Sequence, residues 1–307
     1  MAWTGRLLAV LALGGCATLP PPPAKPWPDV PRPLSRFEPL GEPRATIVAL
    51  HGYNDRKAAF LPFGAAATAA GVRVLAIDFS GFGASVDRSH WPGTDALVAD
   101  VREAVAEARR LDPDGPLFVL GESMGAAVTM IVFAAPDAPE VDGLIWSAPA
   151  VWAGDSLNPL FRAGLRVIAT LAPNADLASG RPATIQVSDN VPMLIALGRD
   201  PEYLRTARAT SLDGLIRVMD EAVRVAPAID LPRLILIGER DEAVPADAYA
   251  RFLDELDPQG CTLVTYGDGW HLLLRDTQRA KVAADVLAWV TGRPLPSDAR
   301  SCVVPTS

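Results

Sequence analysis

Cysteine and histidine are scarce in this chain of 307 residues, with three of each. Neither recurs at metal-ligand spacing, and three Cys are too few for a disulfide scaffold. Positive charge is also short. Lys and Arg number 28 against 36 Asp and Glu, a formal net charge of −8. That argues against the basic patch or stripe of a nucleic-acid-binding surface. Nucleotide fingerprints are missing too: Gly81-Phe-Gly83 has no third glycine behind it, and no G-x-x-x-x-G-K occurs. What is present in quantity is apolar. Hydrophobic residues make up 50% and charged residues 21%, so a sizeable core can be buried and wholesale disorder is excluded. The length fits two domains, or one large α/β domain carrying an insertion.

The chain opens with Arg6 followed by an apolar run, Leu7–Leu13. The run is too short to span a bilayer and has the character of a signal-peptide h-region. It ends in Leu13-Gly-Gly-Cys16, which resembles a bacterial lipobox, whose Cys is lipidated and becomes the new N-terminus. A plain secretory signal cut near Ala17 is the rival. Eight prolines between Pro20 and Pro33 then mark an extended tether. Residues 1–15 are expected to be the signal and 16–43 the tether. Ala17 is not the Asp that resemblance to enterobacterial lipoproteins associates with inner-membrane retention. The expected location is therefore the bacterial envelope, at the outer membrane facing the periplasm, with a lipid anchor as the membrane contact.

From about residue 44 strand-like and helical runs alternate. Strands are expected at Ala45–Leu50, Val72–Ile77, Leu117–Leu120, Gly143–Trp146, Leu234–Ile237 and Thr262–Tyr266. Helices are expected at Ala58–Ala70, Thr94–Leu111, Gly125–Ala135, Ala246–Leu256 and Thr277–Val290. Continuous apolar strands between helices imply a mainly parallel sheet covered on both faces. The alternation breaks between Ser147 and Leu234, where Asn158–Leu171, Val191–Ala196, Pro201–Ala209 and Ser211–Ala226 read as helical. We read residues 148–232 as a helical cap inserted into an α/β core formed by 44–147 and 233–293, with a tail at 294–307.

The chemistry centres on Gly121-Glu122-Ser123-Met124-Gly125, a G-x-S-x-G between an expected strand and an expected helix. Strand, tight turn and helix are the context of a nucleophile elbow. A serine nucleophile needs a base, and only His51, His90 and His271 are available. Such an elbow resembles that of the α/β-hydrolases, whose chain order is Ser…Asp/Glu…His, and this resemblance implies that only His271 can close the order. The acid that orients the imidazole is expected just past the Leu234–Ile237 strand. Asp241 is favoured on spacing, while Glu239 and Glu242 are not excluded by chemistry alone. Glu122 can touch the site or face solvent, and the second is expected. Trp270 is expected to pack rather than to set specificity, and Asn54 and Asp55 to form a plain turn rather than to shape the mouth of the oxyanion loop.

With His51-Gly-Tyr, Asp78-Phe-Ser-Gly-Phe-Gly-Ala-Ser, Gly-Glu-Ser123-Met-Gly, Gly-Glu-Arg-Asp241-Glu-Ala-Val-Pro and Gly-Trp-His271, the chain resembles α/β-hydrolases of the monoacylglycerol lipase or lysophospholipase type, also grouped with the serine aminopeptidase domains. The resemblance covers roughly residues 44–293. It implies the α/β-hydrolase fold, a triad of Ser123, Asp241 and His271, and an oxyanion hole from the backbone N–H groups of Tyr53 and Met124. Ser80 departs from the family's usual Arg in its D-x-R-G-x-G turn, which bears on loop packing there. The implied activity is hydrolysis of acyl esters, such as monoacylglycerols or lysophospholipids, through an acyl-enzyme and without a cofactor. Phe161, Leu165, Ile168, Leu171, Met193, Leu194 and Leu197 are candidate acyl contacts. Alternatives are a peptidase or amidase on the same triad, and a lipoprotein that binds a lipid or partner without turnover.

If Cys16 is lipidated, Cys261 and Cys302 remain as an even pair in an oxidising compartment. The last helix should run antiparallel to the last strand and return the tail to Cys261, so a Cys261–Cys302 bridge is expected. A multiply acylated Cys anchors firmly where one chain anchors only marginally. Cys16→Ser is accordingly expected to release the protein from membranes or block its maturation, as read by fractionation. Wild-type protein found wholly in the soluble periplasm with an unmodified N-terminus would refute the anchor.

Overall fold

A computed structural model describes residues 34–152, 157–177 and 185–302. Cys16 and most of the expected tether lie outside these residues. Among them, eight strands form one sheet in the order β1-β3-β2-β4-β5-β6-β7-β8. They are β1 (Leu34–Phe37), β2 (Ala45–Leu50), β3 (Val72–Ile77), β4 (Leu117–Glu122), β5 (Gly143–Ser147), β6 (Arg233–Gly238), β7 (Cys261–Tyr266) and β8 (Ala299–Ser301). The six inner strands pair in parallel. The outer two, β1 on β3 and β8 on β7, pair antiparallel.

The inner strands are buried because helices cover both faces. Every residue of β2, β4, β5 and β6 is buried, which is why these strands read as unbroken apolar runs. Alternate residues face opposite layers. Ile47 and Ala49 pack with Phe63 and Ala67 of α1 (Leu61–Ala69). Val48 and Leu50 pack in the layer that holds Leu97 and Val101 of α2 (Thr94–Leu111) and Val128 of α3 (Met124–Phe133). Between β5 and β6 lie α4 (Pro159–Leu171), α5 (Val191–Arg199) and α6 (Ala209–Val225). The core closes with α7 (Ala246–Asp254) and α8 (Arg279–Val290). Among the described residues no helix is long and apolar enough to cross a membrane.

The sheet positions the site through its strand order. From β2 the chain steps outward to β3, then returns to β4 on the other side of β2. The carboxyl ends of β2 and β4 thus flank a point where the winding reverses, the usual place for a ligand in an open α/β sheet.

Three segments depart from the sequence reading. Leu34–Phe37, expected in the tether, is strand β1, in register from Leu34↔Ile77 to Phe37↔Val74. Ala299–Ser301, expected in the tail, is strand β8. Both are short edge strands, and pairing rather than alternation creates them. Pro201–Ala209, expected as a helix, is turn and extended chain up to the start of α6. Long-range bonds hold it open: Arg56 pairs with Asp200 and Glu202, and Asn54 bonds Leu204 N and Thr206 O. Tertiary contacts here override local propensity.

A disulfide joins Cys261 to Cys302, with Cα atoms 5.5 Å apart. It continues the β7–β8 register by one pair beyond Thr262↔Ser301. Asp285 of α8 also holds the tail, accepting from Ser297 N and Oγ and from Tyr266 OH. The bridge closes a separation of 41 residues, worth about 4 kcal/mol in the chain-entropy account. Cys302→Ser, or reduction, is expected to lower the thermal midpoint by a corresponding amount, measured by calorimetry with and without reductant.

Candidate active site

The G-x-S-x-G segment is a sharp turn between β4 and α3. Ser123 sits at φ 54°, ψ −114°, a conformation costing an L-residue about 1–3 kcal/mol unless its surroundings enforce it. They do. Ser123 N donates to Ser147 O of β5, and Ser123 O accepts from Ala126 N, Ala127 N and Ala150 N. The flanking glycines are steric requirements. A Cβ on Gly121 would lie 2.4 Å from Ala126 N, and one on Gly125 would lie 2.3 Å from Leu50 O.

Of the three histidines, His271 meets the serine. Its Nε2 lies 2.9 Å from Ser123 Oγ, and its Nδ1 lies 2.8 Å from Asp241 Oδ2. The imidazole side chain is 9% exposed and the Asp241 side chain 1%. Asp241 Oδ2 also accepts from Tyr249 OH, and Oδ1 from Ala243 N and Val244 N. A carboxylate so bonded holds the Nδ1 proton and leaves Nε2 free to accept from the serine hydroxyl. Burial would lower the His271 pKa, but the hydrogen bond and charge of Asp241 outweigh it and hold it above 6.5. Burial likewise would raise Asp241, yet its bonds to His271 and Tyr249 hold it below the usual carboxylate range. Glu239 is exposed, and Glu242 instead accepts from Gln186 N.

His51 has another task. It is fully buried, with Nδ1 2.8 Å from Gly52 O and Nε2 accepting from Phe79 N at 3.0 Å. A neutral ring satisfies both contacts, and burial depresses its pKa. His51 therefore ties the end of β2 to the end of β3. His90 lies exposed on a loop.

Glu122 does not face solvent. It is buried, and its Oε1 accepts from Arg275 Nη2 at 2.6 Å. The same nitrogen donates to Asp55 Oδ2. A lone Glu in G-E-S-M-G gives no sign of a partner 153 residues away, so only the fold reveals it. Nor are Asn54 and Asp55 a plain turn, since Asn54, at φ 64°, bonds the 204–206 segment while Asp55 meets Arg275. The turn around Ser80 is well packed without an Arg. Ser80 N and Oγ donate to buried Asp100, while Asp78 accepts from Lys57 Nζ, Lys57 N and Ala84 N.

The stretch following His271 is bonded to the segment between β5 and β6. Ser188 Oγ and Trp270 N donate to Asp276, whose carboxyl burial pushes up to about 6. Asn190 Nδ2 donates to Arg275 O, and Leu272 N to Val187 O. Of the seven candidate acyl contacts only Leu165 is buried; Phe161 and Leu171 are exposed, and Ile168, Met193, Leu194 and Leu197 are half-buried. Among the described residues no group of three or more His, Cys, Asp or Glu is placed to hold a metal ion.

The model of the family described as serine aminopeptidase, S33 matches residues 41–278. A monoacylglycerol lipase of Mycolicibacterium smegmatis is 28% identical over 262 residues, spanning 83% of this chain and 90% of that protein. Monoglyceride lipase of Mus musculus is 27% identical over 266 residues, spanning 84% and 86%. Among solved structures, the monoacylglycerol lipase of Paleococcus ferrophilus superposes with a TM-score of 0.72 at 19% identity, covering 86% of this chain and 99% of that one.

The electrostatics of the site are measurable directly. Nuclear magnetic resonance titration is expected to place the His51 midpoint below 6.5 and that of His271 above it. Asp241→Asn should bring His271 down while leaving His51 unchanged. A His271 midpoint at or below that of His51 would contradict the geometry.

Proposed function

The chain belongs to the serine aminopeptidase, S33 family, a family of α/β-hydrolases that includes monoacylglycerol-lipase-like ester hydrolases, and from that premise we propose that it cleaves acyl esters through Ser123, His271 and Asp241. The observation that carries this reading is the continuous chain of contacts from Ser123 Oγ through His271 to Asp241. His271 Nε2 takes the hydroxyl proton as Ser123 Oγ attacks the ester carbonyl. Negative charge then gathers on the carbonyl oxygen, and the backbone N–H groups of Tyr53 and Met124 receive it. Met124 is the first residue of α3, so its N–H has no intrahelical acceptor and lies at the positive end of the helix. Protonated His271 returns its proton to the leaving alcohol. Water then enters, His271 again acts as base, and the acyl-enzyme is cleaved.

The substrate class we propose is a lipid-like acyl ester, a monoacylglycerol or lysophospholipid. The names of the relatives support it. So does the inserted segment, where Leu160, Phe161, Val167, Leu171, Ile185, Val191 and Ile195 all expose apolar surface. We further propose that the Cys16 lipid anchors the enzyme at the bacterial outer membrane, close to such substrates. The family description keeps amide cleavage as the second reading, which a comparison of p-nitrophenyl esters with aminoacyl anilides separates.

Ser123→Ala is expected to abolish both fluorophosphonate labelling and hydrolysis of p-nitrophenyl butyrate without loss of fold. Asp241→Asn should lose about 10⁴-fold in kcat, by loss of the correct tautomer. His90→Ala should stay active. Because His271 must be neutral to act as base, kcat/KM should fall as the pH drops through a value above 6.5. A dead His90→Ala beside a live His271→Ala would overturn the assignment.

A further inference from the structure

We propose that Arg275, with Asp55 and Glu122, forms a positioning set that holds the nucleophile, the oxyanion loop and the loop carrying His271 in one reactive geometry. The proposal rests on the reading of Ser123 and His271 given above.

The three side chains come from the three loops that hydrolysis depends on. Glu122 immediately precedes Ser123 at the end of β4. Asp55 lies two residues after Tyr53, beyond β2. Arg275 lies four residues after His271, beyond β7. In the sheet β7 is three strands away from β4, so the loops meet only above the strand ends. There Arg275 Nη2 donates to Asp55 Oδ2 and to Glu122 Oε1. All three side chains are 5% exposed or less. Displacement of any one loop would separate Ser123, Tyr53 N and His271, and misplacement by about 1 Å can cost about 10²-fold in rate.

Stability alone is a poor account of these charges. Glu122 Oε2 and Arg275 Nε are buried without hydrogen-bond partners. Ion pairs left part-satisfied in an interior are often no more stable than apolar side chains of similar volume. A bidentate or fully bonded arrangement would be the economical choice for folding. The arrangement found instead joins both carboxylates through one nitrogen, which fixes three loops at a single point.

The set also acts on His271. The charged and titratable groups facing that imidazole are Asp241 with Tyr249 behind it, Glu122 from β4, and Arg275, itself balanced by Asp55. Glu122 favours the protonated ring and Arg275 opposes it. Removing each should therefore shift His271 in opposite directions.

The test uses Glu122→Gln, which keeps the side-chain shape, and Arg275→Met. Both are compared with wild type for kcat, KM, the acid limb of kcat/KM, the His271 titration and the thermal midpoint. The expected result is a loss in kcat of about 10- to 100-fold with KM little changed. The acid limb should move to lower pH in Glu122→Gln and to higher pH in Arg275→Met. Folded variants that keep wild-type kcat and acid limb would overturn the proposal and leave the site reading intact. Variants that both fail to fold would assign the set to folding alone and overturn it as well. A wild-type protein without hydrolytic activity would defeat the site reading itself, and this proposal with it.

Discussion

Ser123 is held at a backbone conformation that an L-residue avoids, and the arrangement around the site follows from what enforces it. The strain is sustained by bonds on both sides, from Ser147 at the end of β5 and from Ala126, Ala127 and Ala150. The close approach of α3 to β2 requires Gly125, whose missing Cβ leaves room for the Leu50 carbonyl. The parallel sheet supplies the rigidity. Its inner strands are buried on both faces, so β4 cannot relax without disturbing two packed layers.

A buried site at the end of an apolar sheet must settle its polar groups locally. The acidic chain does so by pairing. Lys57 meets Asp78, Ser80 meets Asp100, and Arg275 meets Asp55 and Glu122. His51 shows the same economy with a neutral ring, donating to one backbone carbonyl and accepting from one backbone N–H. The two buried histidines, one after β2 and one after β7, are thus shifted in opposite directions from the ordinary imidazole value. Burial prevails at His51, where the charges of Asp55 and Asp78 and the Gly52 carbonyl offset it only in part, whereas the hydrogen bond and charge of Asp241 outweigh burial at His271.

The segment between β5 and β6 bears on the same loops. Its 200–206 stretch is bonded to Asn54 and Arg56 beside the turn of Tyr53. Its 187–190 stretch is bonded to Leu272, Arg275, Asp276 and Thr277 beside His271. This segment is therefore tied to two of the three loops at the site through short polar contacts. Its apolar residues on α4 and α5 remain largely exposed, which sets it apart from the close-packed layers around the sheet.

The sequence by itself determined the alternation of inner strands and helices, because each apolar strand run is long enough to be buried and Thr94–Leu111 carries a periodic apolar face, while Leu61–Ala69 and Met124–Phe133 read as helical by composition and place. It also determined the elbow, since Gly121 and Gly125 are demanded by backbone approach, and it pointed to His271 by chain order and to Asp241 ahead of Glu239 and Glu242 by spacing, a choice that the contact between His271 and Asp241 decides. Only the tertiary structure decided the rest. The edge strands Leu34–Phe37 and Ala299–Ser301 are too short to announce themselves and exist through pairing with β3 and β7. The extended course of residues 201–208 depends on partners in the loop after β2. The burial of Glu122 depends on Arg275, which is adjacent only after three loops have been folded over the sheet. Local patterns are written in neighbouring residues, whereas a charge pair between distant loops has no periodicity, and only the folded chain brings its members together.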